Sequence, residues 1–181
     1  MSIVKLINIF LRCTTLLSKV FLFLFLAKYF EPDQLGLFGL IMVSIGFSVY
    51  AVGFDFYTYS TRELLKYDII DWGNFLKSQC SLHIVLYLIT FPLLLTLFFF
   101  HILPWSIVFL FFIILFFEHL TIELSRLLIT LNLQINSSIV IFFRSGFWCI
   151  VISLLMIFFE KFRTLEYVLL SWIFSLILGF V

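Results

Sequence analysis

The chain has 181 residues, of which 64 % are hydrophobic, 21 % aromatic and 12 % charged, with a formal net charge of +1 and a mean hydropathy of +1.24. Soluble domains carry about 25 % charged residues, so this chain has too little polar surface to cover a soluble globule. No basic patch with interleaved aromatics is present, which excludes a nucleic-acid-binding surface.

What remains is an all-α integral membrane protein. In a bilayer only helices or closed barrels satisfy the backbone, and the long aperiodic apolar runs lack the alternation of a barrel. Six transmembrane helices are predicted, over about 5–29, 35–58, 78–100, 104–131, 137–159 and 165–181, packed as a single bundle across residues 1–181.

The first predicted helix is interrupted by Lys5, Asn8, Arg12, Thr15 and Lys19. Their spacing of 3, 4, 3 and 4 places them on one face. A charge at mid-bilayer costs roughly 2.5–3.5 kcal/mol on insertion scales, so this stripe is expected to avoid lipid. Three arrangements satisfy that: snorkelling to the interface, pairing with acids on other helices, or lining a cavity for an anion. Lys19 lies about 20 Å from Lys5 along a helix, which is deep for snorkelling. No short apolar region ends in a small-residue cleavage site, so the first helix is expected to be retained.

After the break Glu31-Pro32-Asp33, the second helix has 20 uncharged residues, Leu35 to Phe54. That length matches a hydrocarbon core of about 30 Å. Gly39, Gly46 and Gly53 recur every seven residues and form a candidate face for close helix packing. A polar foot follows. If the helix continues, Asp55, Tyr59, Arg62 and Lys66 share a face. Residues 62–77 read as a stretch lying on the membrane surface, with Trp72 as its anchor.

The third helix carries little besides His83 and Pro92, and His101 and Pro104 mark a turn. The fourth carries Glu118, His119, Glu123 and Arg126, the last three on one face. His119 and Glu123 alone do not make a metal site, and Glu123 with Arg126 can neutralise each other. The fifth helix carries Arg144. Cys13, Cys80 and Cys149 show no metal or redox spacing and read as small buried hydrophobes. The last run, Tyr167 to Val181, is 15 uncharged residues long. It falls short of a span, so the sequence is expected to continue beyond it.

Topology follows from the basic residues in the connections and flanks. With the N-terminus cytoplasmic, Lys5, Arg62, Lys66, Lys77 and Arg126 lie inside, against Lys28, Lys161 and Arg163 outside. Arg12, Arg126 and Arg144 then fall in the inner half of the membrane, with Lys19 near its middle. A cavity lined by these cations would attract an anionic head group from the cytoplasmic side, since Arg and Lys are the residues that bind phosphate.

The segments KYFEPDQLGLFGL (Lys28 to Leu40) and GFDFYTYSTREL (Gly53 to Leu64) resemble the start of the polysaccharide-transport, or O-antigen repeat-unit, flippases. These belong to the multidrug/oligosaccharidyl-lipid/polysaccharide exporter superfamily. The resemblance implies a two-bundle transporter of twelve or more helices, of which this chain supplies one half, in the bacterial cytoplasmic (inner) membrane. It implies translocation of an undecaprenyl-diphosphate-linked oligosaccharide for O-antigen, capsule or exopolysaccharide synthesis. The expected partners are that lipid-linked oligosaccharide, the phospholipid bilayer and polysaccharide polymerase machinery, with no nucleic acid and no cofactor. On this reading Arg12, Lys19, Arg62, Arg126 and Arg144 bind substrate, and Asp55, Glu118 and Glu123 couple an ion.

Two other classes compete. A multidrug-type exporter or non-catalytic membrane subunit would use the same bundle. A membrane enzyme such as a polysaccharide polymerase would need extramembrane chemistry. The longest non-spanning stretch, about 59–77, holds no acidic pair or nucleophile constellation, so the chain is read as not an enzyme.

Overall fold

The computed structural model describes residues 3–54, 56–67 and 69–180. Among the described residues the chain is all helical. Helix α1 spans Ile3–Tyr29, α2 Pro32–Gly53, α3 Phe56–Leu64, α4 Trp72–Phe99 and α5 Val108–Thr130. Helix α6 (Gln134–Phe142) runs through a π-helical turn (Phe143–Phe147) into α7 (Trp148–Phe158), and α8 covers Leu165–Phe180. Among the described residues, five spans are long and apolar enough to cross a bilayer: Val4–Tyr29, Pro32–Gly53, Trp72–Phe99, Trp105–Thr130 and Gln134–Phe158. The sixth predicted span corresponds to α8, whose 16 residues rise about 24 Å. The protein is an all-α polytopic membrane bundle.

The helix ends follow local chemistry. Glu31 is extended and Pro32 opens α2, the position where a missing N–H costs nothing. Helix α2 stops at Gly53 because Phe54 turns left-handed (φ 44°), its N–H bonding to the Tyr50 carbonyl. The polar foot is therefore not a continuation of α2. It is a separate helix of nine residues that ends at Leu64, before Lys66. The expected common face of Asp55, Tyr59, Arg62 and Lys66 is not formed as one helix, and Asp55 itself lies outside the described residues.

Trp72 also differs from expectation. It is buried, and its indole N–H reaches the carbonyls of Leu64 (2.9 Å) and Tyr67 (3.2 Å). It ties the α3–α4 connection to the protein instead of anchoring a surface stretch in the interface, and α4 begins there rather than near residue 78. The turns after α4 and α5 each place one residue left-handed, His101 (φ 56°) and Asn132 (φ 61°).

Helix α5 is the pillar of the bundle. It packs against α6 and α8 on one side and α2 on the other, while α1 lies along α6 and α7. The core runs through Leu26, Ile41, Phe111, Ile114, Ile152 and Leu169, all essentially inaccessible. Trp148 and Trp172 stack at 5.1 Å with an interplanar angle of 11°, joining α7 to α8. Large apolar side chains such as Phe10, Phe47, Leu88 and Phe109 point outward, as bilayer-facing positions do. Cys149 is buried as expected, whereas Cys13 and Cys80 lie on exposed faces.

Close helix approach occurs at other glycines than the predicted stripe. A Cβ at Gly39 or Gly46 would meet nothing within 4 Å, and at Gly53 only the ends of His119 and Arg126, at 3.9 and 4.0 Å. The tight contacts are at Gly146, where a Cβ would lie 3.1 Å from the Thr15 Cα, and at Gly179, where it would lie 3.0 Å from the Phe143 Cβ. Both involve the π-helical turn. Such a turn leaves backbone groups unspent, and the Ser175 hydroxyl donates to the Phe143 carbonyl there. Thr15 of the α1 polar stripe is buried against this region, while Lys5, Arg12 and Lys19 of the same stripe are exposed.

Candidate functional site

The membrane-depth polar residues fall into two clusters on different sides of α5. The larger borders a cavity of about 480 Å³ between α3, α4 and α5, with Phe180 of α8 at its rim. Its walls are mostly apolar, including Leu76, Ile84, Phe116 and Leu120. Its polar side has two facing rows. On α4, Gln79, His83 and Tyr87 follow one another at four-residue spacing. On α5, His119, Glu123 and Arg126 are spaced 4 and 3, so each row occupies one helical face.

The rows are joined in two places. At one end the Gln79 amide N–H donates to Glu123 Oε2 (2.9 Å), and Arg126 Nη1 donates to Glu123 Oε1 (2.6 Å). The Arg126 guanidinium stands over the Tyr57 ring of α3, 3.6 Å from its centre. At the other end the Tyr87 hydroxyl and His119 Nδ1 are 2.9 Å apart, and the His83 and His119 rings meet edge to face at 4.6 Å. His119 is 2 % exposed and His83 9 %. The Nε2 atoms of both are buried without a hydrogen-bond partner among the described residues. A second cavity of about 180 Å³, lined by Gly46, Val49, Tyr50, Gly53 and Ile122, shares Arg126 with the first.

The smaller cluster centres on Glu118. Its Oε1 accepts from the Trp172 indole (3.1 Å), and its Oε2 lies 3.7 Å from Arg144 Nε. Arg144 sits within the π-helical turn, and its carbonyl accepts from the Trp148 indole (3.2 Å).

The predicted site residues are thus distributed. Arg126 and Glu123 belong to the cavity. Arg144 and Glu118 belong to the second cluster, and Lys19 is exposed on α1. Arg12 on α1 and Arg62 on α3 are exposed and line neither cavity, although Arg62's neighbours Ser60 and Thr61 do. Asp55 lies outside the described residues. The cations expected to share one cavity do not share this one: Arg144 pairs with Glu118 on another side of α5, and Arg12, Lys19 and Arg62 are exposed. Gln79 and Tyr87 were not singled out by sequence reasoning. Their spacing about His83 carried the signal, since three polar groups four residues apart on an apolar helix share a face.

Among the described residues no three His, Cys, Asp or Glu side chains form a metal-binding group. Outside the spans, the Glu63 carboxylate 2.6 Å from Lys66 raises that lysine's pKa above its ordinary value, mainly through the hydrogen bond. No protein-family model, curated protein or solved structure matches the chain.

Proposed function

We propose that the chain is one membrane-spanning half of a translocase that flips an undecaprenyl-diphosphate-linked oligosaccharide across the bacterial cytoplasmic membrane. The product would feed O-antigen, capsule or exopolysaccharide synthesis. The observation behind this reading is the 480 Å³ cavity, with apolar walls and one polar side at membrane depth. An amphiphile with an anionic head group and an apolar chain has the same two-part chemistry. Arg126, oriented by Glu123 and by the Tyr57 ring, is a guanidinium held ready for a phosphate oxygen. On this reading the bundle is one half of a larger transporter, with the N-terminus cytoplasmic and the substrate path between halves.

The test uses cells lacking the gene. Their membrane lipids should accumulate a diphosphate-linked oligosaccharide on the cytoplasmic leaflet. The wild-type gene should clear it, and an Arg126→Gln version should not. Normal surface polysaccharide with no accumulation would overturn the reading.

A multidrug-type exporter is the second reading. It is favoured by the aromatic rings of Tyr57, Tyr87, Phe116 and Phe180 around the cavity, together with the Glu123 carboxylate. Efflux of a planar cationic dye that requires Glu123 would select it.

A further inference from the structure

We infer that His83 and His119 together form a proton-binding site whose loading governs how strongly the cavity holds an anionic head group. The inference rests on the transport reading above for its ligand and on this geometry for its proton.

Each described carboxylate at membrane depth is already engaged. Glu123 takes hydrogen bonds from Gln79 and Arg126, and Glu118 is held by Trp172 and faces Arg144. The imidazoles differ. Both are at least nine-tenths buried, both line the cavity, and each leaves its Nε2 unpartnered. Burying a polar nitrogen without a partner costs free energy, commonly about 1–3 kcal/mol. The two rings that carry these atoms meet at 4.6 Å and line the same cavity, where either nitrogen can accept a proton.

Tyr87 sets where the proton adds. When its hydroxyl donates to His119 Nδ1, the His119 hydrogen sits on Nε2, and the free lone pair of the couple belongs to His83. When His119 Nδ1–H donates to Tyr87 instead, the His119 Nε2 lone pair is free. Either way one N–H bond forms, and the pair passes from neutral to +1. Two charged rings 4.6 Å apart repel, so the pair takes one proton and not two. The charged and titratable groups around it are Cys80 and Tyr87 on α4, Glu123 and Arg126 on α5, and Tyr57 on α3. Glu123 and Arg126 cancel each other's charge. The cavity wall is therefore close to neutral when the pair is unloaded and cationic when it is loaded. An anionic head group binds the loaded form better, and by linkage its binding must draw a proton in.

The experiment has two arms on the full chain in lipid nanodiscs. First, ring-labelled histidines are titrated by NMR. His101, exposed in the α4–α5 turn, serves as the internal reference. The resonances of His83 and His119 should move together with pH, and His83→Gln should change the His119 titration. If neither ring titrates between pH 5 and 9 while His101 does, the proton site is overturned. Second, binding of farnesyl diphosphate is measured against pH. Affinity should rise by up to about tenfold per pH unit on acidification through the pair's titration. That rise should flatten in the His83→Gln, His119→Gln double variant. An unchanged slope in the double variant overturns the linkage. No binding at any pH overturns the anionic-substrate reading and the linkage, and leaves the proton site to be judged by the first arm.

Discussion

Glu118 and His119 are consecutive in the chain and belong to different clusters. Glu118 reaches Trp172 on α8, and His119 reaches Tyr87 on α4. A 100° step around α5 is enough to send two polar neighbours into two separate environments, each with its own partners.

The Glu118 cluster should behave as a charge pair. Glu118→Ala should destabilise the protein by about 2 kcal/mol, below the roughly 3–5 of a fully buried pair, because the Arg144 side chain is 24 % exposed. Adding Arg144→Ala should restore part of the loss. A double-mutant cycle of unfolding in detergent micelles measures the coupling, and strictly additive effects would contradict it.

Arg126 should depend on the ring beneath it. Tyr57→Leu is expected to cost about 1–2 kcal/mol through the lost cation–π contact. The loss should vanish when Arg126 is already Gln. Arg126→Lys should recover little, because a lysine keeps the charge but not the planar stack or the fork onto Glu123. Thermal unfolding of the wild type, the three single variants and the Tyr57→Leu, Arg126→Gln double variant decides this.

Glycine substitutions should separate the true contact from the apparent one. Gly146→Ala should cost about 1–3 kcal/mol, since its methyl group would press on the α1 backbone at Thr15. Gly46→Ala should be neutral or stabilising by up to about 1 kcal/mol, because its site is open and alanine favours the helix. Melting temperatures of the two variants in detergent give the comparison.

Orientation can be read with introduced thiols in a background where the native cysteines are replaced by serine. Lys66→Cys, in the α3–α4 connection, should be labelled by a membrane-impermeant maleimide only after permeabilisation. Lys161→Cys, between α7 and α8, should be labelled in intact cells. The opposite pattern would place the N-terminus outside.

The helical membrane class and the approximate spans were legible because apolar length alone decides them. So was the break at Glu31-Pro32-Asp33, which a proline fixes locally. The Phe54 break was not, because a left-handed phenylalanine carries no sequence signal comparable to glycine. Nor was the burial of Trp72, which depends on the carbonyls that α3 happens to present. The pairing of Arg144 with Glu118, and of Gln79 with Glu123, depends on how each helix is rotated within the bundle. In helices that are apolar all round, hydrophobicity does not fix that rotation. Spacing placed His119, Glu123 and Arg126 on one face, but only packing could show that Tyr87 and His83 lie opposite.

The π-helical turn at Phe143–Phe147 accommodates one residue more than an α-helix would in the same rise. An uninterrupted α-helix through the same residues would instead turn everything beyond that point by about 100°. Trp148, Cys149, Ile152 and Met156, now in the core, would then swing off their present neighbours, and the Trp148–Trp172 stack would be lost. Because the turn absorbs its extra residue locally, deleting one residue there should restore a plain α-helix and leave the far half facing as it does now. The facing of half a helix is kept by one local irregularity, which hydropathy does not register.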